Sequence, residues 1–422
     1  MFPIPFSIVF HRHRLKLLAL TSLFIIAWHA PNAASSGGFL RADGNRLMLD
    51  SREYRAIGVN IPHLSQAYMG TWFHTRQIYG GAAQARQAMI DAITDASKSK
   101  VAFVRFFAGP GYPIDAQKLY LKDPEQYWKL MDDLVSLCRQ NQVKLVPCLE
   151  VIDSCWHWLF QEPRQAILDP GSKTCAATRR YVREFVSRYK NDPSILMWEL
   201  NNEAFLSADV NMTGRPCLSP QVFPDGARVP QKLTLKDSLT TAMLLSIYKG
   251  MTAYIKELDP HHLVTSGAAG PRPTSTSLRE RFPDQVWTKD TMRQYLSDLL
   301  ASQPEPLDVF SLHLYGSFNY RPEIEVHGLS SLDLCRCLIR AVHASSSPLF
   351  IGELGQYDPS PKSDPQTRWL CDAIDEIENE KVSLTAIWCW HFSWQPENNI
   401  TSATHPELIK RIAQFNRKYA GL

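Results

Sequence analysis

The chain has 422 residues, enough for two average domains yet within the span of one eight-stranded α/β barrel. Apolar residues make up 45% and charged residues 21%, an ordinary globular balance that excludes a disordered chain. Net charge is only +3, and part of that excess falls in the first 16 residues, so nothing points to nucleic acid or a membrane surface as partner.

Taken in chain order, the first segment is not fold material. A basic stretch from His11 to Lys16 precedes an apolar run of twelve residues, Leu17 to Trp28, and then the small residues of Asn32 to Ser36. This is the order of a secretory signal over residues 1–34, so the product is expected to be secreted or periplasmic. The apolar run is short for a bilayer span, which leaves an uncleaved N-terminal anchor as the alternative. Leu40–Asp50, with Asp43-Gly44-Asn45 as its turn, reads as a hairpin under the main body.

From residue 38 to 422 short apolar runs alternate with amphipathic stretches. The predicted strands are Tyr54–Asn60, Val101–Phe107, Lys144–Val151, Ile195–Asn202, Leu263–Ser266, Leu307–Tyr315, Pro348–Glu353 and Leu384–Trp390. Several are almost continuously apolar, as strands of a parallel sheet covered on both faces must be. Apolar residues at three-to-four spacing predict helices over Ala82–Ser99, Pro124–Asn141, Thr174–Tyr189, Leu235–Leu258, Thr291–Ser302, Leu329–Ala344, Pro365–Lys381 and His405–Tyr419. The pattern is that of a single-domain (β/α)8 barrel. Two loops, Ala204–Lys232 and Gly270–Asp290, are long, and both follow strands, which puts them on the face where barrels keep their sites.

Cysteine usage is open to two readings. Cys155 with Cys175, or Cys335 with Cys337, could pair after export, while the alternative is buried free thiols. No pair of CxxC spacing comes with matching histidines, so a zinc module is not expected. His261-His262 falls at the barrel bottom and reads as structural.

The chemistry gathers at strand ends. The fourth predicted strand ends Trp198-Glu199-Leu200-Asn201-Asn202-Glu203 and the seventh ends Ile351-Gly352-Glu353-Leu354-Gly355. The second carries Arg105, the sixth ends His313-Leu314-Tyr315, and the eighth carries Trp388 and Trp390. A carboxylate is costly to bury without a partner. Two of them at strand ends on opposite sides of a barrel, with Arg, His and Tyr converging, fit glycoside hydrolysis. That reaction needs one protonated and one ionised carboxyl, roughly 5–5.5 Å apart for a retaining double displacement or roughly 6.5–9.5 Å for inversion. Alternation places Glu199, Asn201 and Glu203 on one face and Asn202 on the other.

These motifs resemble glycoside hydrolase family 5 and its retaining barrel clan, from about residue 38 to the C-terminus. The resemblance implies that Glu203 is the acid/base and Glu353 the nucleophile. It implies that Asn202 meets the sugar 2-hydroxyl, that His313 binds substrate and that Tyr315 touches the nucleophile. Arg105 would support Glu353, and Trp390 would stack under the sugar at the cleavage point, with Trp388 as core filler. Two departures stand out: Ala204 follows Glu203 where Pro is common, and Leu149 to Asp153 lacks the Asp-x-His of the cellulase branch. Trp156 and Trp158, after the third strand, are candidates for an outer sugar platform, with Trp72, Tyr112 and Trp287 as further candidates. The expected activity is retaining hydrolysis of a β-linked polysaccharide or oligosaccharide by a monomer with no metal or organic cofactor. β-1,4-Mannan is the favoured substrate, and a β-1,4-glucan is the alternative. A metal-dependent barrel hydrolase would need more than the one histidine, His63, at the end of the first strand. A non-catalytic carbohydrate-binding barrel would have no use for both glutamates.

Overall fold

The computed structural model describes residues 38–111, 114–216, 232–316, 330–356 and 364–422. The leader expected over residues 1–34, Tyr112 and part of the first long loop lie outside the described residues. The strands are β1 (Arg41–Asp43), β2 (Arg46–Leu49), β3 (Arg52–Glu53), β4 (Ala56–Asn60), β5 (Phe103–Phe107) and β6 (Lys144–Cys148), followed by β7 (Met197–Glu199), β8 (Leu263–Thr265), β9 (Phe310–Tyr315), β10 (Leu349–Gly355) and β11 (Leu384–Ile387). β4 to β11 form one eight-stranded parallel sheet, ordered β8-β7-β6-β5-β4-β11-β10-β9. A parallel bridge from Thr265 to Val309 joins its two ends, and the Thr265 hydroxyl donates to the Val309 carbonyl at 2.9 Å. The sheet is therefore a closed barrel with helices outside, and all eight predicted barrel strands are present.

Side chains alternate across each strand, and the inward set is layered. Phe103, Val146, Met197, Leu263, Val309, Phe350 and Leu384 pack in one buried cluster with Leu40 and Leu47 of the N-terminal hairpin. The rings of Phe103 and Phe350, from opposite sides of the barrel, lie 6.1 Å apart. This apolar layer closes the bottom, and β1–β3 cap it as the sequence predicts. Two residues further along the strands the inward positions turn polar: Arg105, Cys148, Glu199, Thr265 and Ser311.

Local chemistry starts the outer helices. Asp123 accepts from the Gln126 N–H ahead of Pro124 at the head of helix Pro124–Gln140. Capping boxes at Thr291 with Gln294 and at Ser330 with Asp333 begin Met292–Ala301 and Ser331–His343. The helix expected over Leu235–Leu258 is divided. Leu239 pairs with Ala208, and Thr240 caps a fresh start, so the regular helix is Thr241–Leu258. The two long loops bond to each other, since Asn211 donates to the Pro283 carbonyl at 3.1 Å and Gln285 to the Asn211 carbonyl at 2.9 Å. Neither Cys155 with Cys175 nor Cys335 with Cys337 forms a disulfide, which agrees with the thiol reading of the two that the sequence leaves open. Cys335 and Cys337 sit two apart on one helix and do not face each other. No described helix is long and apolar enough to cross a membrane.

Candidate active site

The polar layer centres on Arg105, which is 0% exposed. Its Nε and Nη2 donate to the two Glu199 oxygens at 2.8 and 2.7 Å. Nη1 donates to Asn60 Oδ1 at 2.8 Å and to Glu353 Oε1 at 3.0 Å. Nη2 also reaches Asn202 Oδ1 at 2.6 Å. One guanidinium thus ties together the ends of four strands, β4, β5, β7 and β10. Burial alone would lower its pKa, but Glu199 and Glu353 hold it well above the usual value, so it stays charged.

Glu353 owes its orientation to a bulge. In β10, Ile351 pairs with Leu312 but Glu353 pairs with His313, so Gly352 is an extra residue. The register against β11 shifts at the same place. Phe350 faces inward, and strict alternation would send Glu353 outward to the helices; the extra residue turns it back inside. Asn60 fastens the bulge by donating Nδ2 to the Gly352 carbonyl at 2.9 Å. A Cβ at position 352 would stand 2.7 Å from His313 Nε2, so only glycine fits.

Glu203 lies where β7 gives way to a turn, with φ at 49° and its N–H held by the Gly267 carbonyl at 2.9 Å. Its side chain is 27% exposed, against 4% for Glu353. His313 Nδ1 stands between the two, 2.9 Å from Glu203 Oε1 and 3.5 Å from Glu353 Oε2. Carboxylate oxygens of Glu203 and Glu353 and a ring nitrogen of His313 all lie within 4.8 Å of one another. One oxygen of each carboxylate thus comes close enough for both groups to act on the same bond. The same three atoms could hold a metal ion, but the Arg105 cation 3.0 Å from Glu353 opposes a second cation there.

The Tyr315 hydroxyl donates to Glu353 Oε2. Burial and the two carboxylates push that phenol well above its usual value, so it remains a donor. Burial also pushes the Glu353 carboxyl up. Glu203 adds to the rise, while His313, Arg105 and the Tyr315 bond pull it down. The balance is a raised value, because burial of the enclosed carboxyl outweighs its donors.

Arg105, Asn202, Glu203, His313, Tyr315 and Glu353 therefore meet at one place. Asn201 turns instead to the loop after β6, donating to Asp153 at 2.8 Å and accepting from the Ile152 and Asp153 N–H groups. Three aromatic expectations need correction. Trp390 is 0% exposed and its indole donates to the Ala92 carbonyl of an outer helix at 3.1 Å, so it fills the layer between barrel and helices. Trp388 is the one that continues the inward parity of Leu384 and Ala386; its N–H donates to the Leu354 carbonyl, next to Glu353, and its indole to Gln395. The peptide between Trp388 and Cys389 is cis, and beyond it the two indoles part. Trp156 is 1% exposed, packed on Tyr120 and Phe160, and offers no platform. Trp158 is half-buried against His157, Trp72 is buried beside His63, and Trp287 is exposed. The sequence reading missed Asn60 and Trp388, although both share the inward parity of their strands.

Residues 59–393 match the family model described as Cellulase (glycosyl hydrolase family 5). The chain is 38% identical over 95 residues to the probable mannan endo-1,4-beta-mannosidase C of Aspergillus terreus, a stretch that is 22% of this chain and 19% of that relative. Among solved structures, an endo-1,4-beta-mannanase from Rhizomucor miehei matches with a TM-score of 0.58 at 15% identity, over 89% of this chain and 99% of that one. A family 5 mannosidase from the same organism matches with a TM-score of 0.58 at 13% identity, over 92% of this chain and all (100%) of that one. At such identities the structural matches bear on the fold alone.

Proposed function

The chain belongs to glycosyl hydrolase family 5, and we propose that it cleaves β-linked polysaccharides or oligosaccharides by a retaining double displacement. The observation that carries this reading is the approach of the Glu203 and Glu353 oxygens to within 4.8 Å above one buried arginine. In the first step the Glu353 carboxylate attacks the anomeric carbon. The bond to the leaving oxygen breaks as Glu203 gives that oxygen its proton, leaving a glycosyl ester on Glu353. In the second step Glu203, now ionised, takes a proton from water, whose oxygen displaces Glu353 from the anomeric carbon.

Two carboxyls this close tend to keep one proton between them. Glu353 accepts from both the Arg105 cation and the Tyr315 hydroxyl, which favours its ionised form and leaves the shared proton to Glu203. Asn202, held by Arg105, is offered to the sugar 2-hydroxyl. β-1,4-Mannan is the favoured substrate, supported by the likeness to the probable mannan endo-1,4-beta-mannosidase C of Aspergillus terreus. The basic, apolar and small-residue order of the first 36 residues supports export.

The test is a panel of β-1,4-mannan, β-1,4-glucan and aryl β-glycosides, with the product anomer followed by NMR. Retained configuration is expected, with mannan cleaved fastest. Glu203→Ala should lose about 10²–10⁴-fold in turnover, and Glu353→Ala should lose hydrolysis of every substrate. Inverted product, or full activity in both variants, would overturn the reading.

A further inference from the structure

Most carboxyls at the barrel mouth have a basic partner. Glu199 and Glu353 share Arg105, Asp153 has Arg164 at 2.7 Å and Glu203 has His313. Glu150 has none. Its hydrogen bond comes from the Cys148 thiol, Sγ to Oε1 at 3.1 Å, and among the described residues Oε2 accepts nothing. The residue is 6% exposed. It extends the inward series Val146, Cys148, Glu150 one layer above Arg105. The loop after β5 presses close, since a Cβ on Gly109 would lie 2.4 Å from the Glu150 Cβ. The backbone holds φ at 52°, the left-handed region that a residue with a Cβ enters at a cost. Left-handed residues of this kind gather at functional sites.

Asp153 in the loop after β6 and Glu199 on β7 disfavour charge on Glu150. Arg105 on β5 favours it, and the Cys148 thiol donates to it. Burial comes first among these influences, and with Asp153 it lifts the carboxyl to about 8. At neutral pH Glu150 is thus a carboxylic acid that can both donate and accept. No described cation takes it up, yet it lies at the rim over the catalytic layer.

On the footing of the glycosidase reading, we propose that Glu150 is a substrate-binding residue whose carboxyl hydrogen-bonds a ring hydroxyl of a pyranose beside the cleavage point. A neutral polyol is the ligand this group suits, because a sugar hydroxyl answers its donor and its idle acceptor alike. A site built around such a bond discriminates strongly against sugars that cannot make it.

The test uses the β-1,4-linked oligosaccharide that the wild-type enzyme cleaves with retention. If no such substrate emerges from the panel above, the glycosidase reading itself has failed. If one does, kinetics of Glu150→Ala and Glu150→Gln address Glu150 alone. Glu150→Ala is expected to lose about 10–100-fold in kcat/KM, and Glu150→Gln to restore most of it, since an amide also donates and accepts. Wild-type KM should rise above pH 8, and this rise should be absent from Glu150→Gln. A kcat/KM for Glu150→Ala within twofold of wild type overturns the proposal. So does a KM–pH profile shared by wild type and Glu150→Gln, a readout that stands even if the alanine variant does not fold.

Discussion

Replacing Tyr315 by Phe removes one oxygen and leaves the ring, so it tests the nucleophile assignment with little disturbance to packing. The hydroxyl donates to Glu353, whose remaining neighbours are Arg105 at 3.0 Å and His313 at 3.5 Å. A hydrogen bond to a charged group contributes about 1.5–3 kcal/mol. At about 1.4 kcal/mol for each pKa unit, the Glu353 carboxyl should rise by about 1–2 units. The sign follows from the charge: the hydroxyl stabilises the carboxylate, so its loss favours the protonated form. The enzyme should need a higher pH to present an ionised nucleophile. The acid limb of the kcat/KM–pH profile should therefore move up by about 1–2 units, and kcat/KM below it should fall about 10–100-fold. Steady-state kinetics from pH 3 to 8 read both effects. An unmoved acid limb with kcat/KM within twofold of wild type would refute the placement of Glu353 as the ionised partner.

Arg105→Met leaves Glu199, 0% exposed, without its cation, and should destabilise the fold by about 3–5 kcal/mol in denaturant unfolding; a loss below 1 kcal/mol would contradict the central role given to the guanidinium. Burial lowers the His63 imidazole to about 3 from its ordinary 6.5. Its contribution to stability is then full above pH 6.5 and declines as pH falls toward 3, by about 1.4 kcal/mol per unit. His63→Gln should flatten that part of the stability–pH curve, and equal slopes in both proteins would show that His63 does not produce it. Trp390→Phe deletes the bond to Ala92 and should cost about 1 kcal/mol of stability with KM unchanged. Trp388→Ala should lower kcat/KM at least about tenfold if its indole meets the sugar, and the reverse ranking of the two variants would restore Trp390 to the site.

The barrel was legible because buried parallel strands announce themselves as continuous apolar runs. Runs such as Leu349-Phe350-Ile351 needed no knowledge of their neighbours. The short helices Leu64–Met69, Ile114–Lys122, Trp156–Leu159 and Ser275–Glu280 were not legible, since one or two turns carry too little periodicity and owe their shape to tertiary contact. At the site, strand-end motifs located the polar residues that meet around Arg105. Aromatic roles were harder to read. Trp388 and Trp390 have the same parity on paper, yet only the folded chain separates an indole near Leu354 from one bonded to an outer helix. Trp156 follows a strand on the catalytic face as a sugar platform would, but Tyr120 and Phe160 arrive from elsewhere in the sequence to cover it. Glu150 gave no signal at all, because its distinction is the absence of a basic neighbour, and neighbours are set by the fold.

The surplus glycine in β10 makes counting as consequential as chemistry. Upstream of it, an apolar residue can replace another and the strand still reads in phase. At Gly352, deletion or duplication would flip every later side chain of the strand, carrying Glu353 to the helix side and Leu354 into the mouth. Homologous strands should therefore drift freely in composition while holding their length between Phe350 and Glu353 fixed. A designer grafting this catalytic apparatus onto another barrel would have to transplant the miscount along with the glutamate.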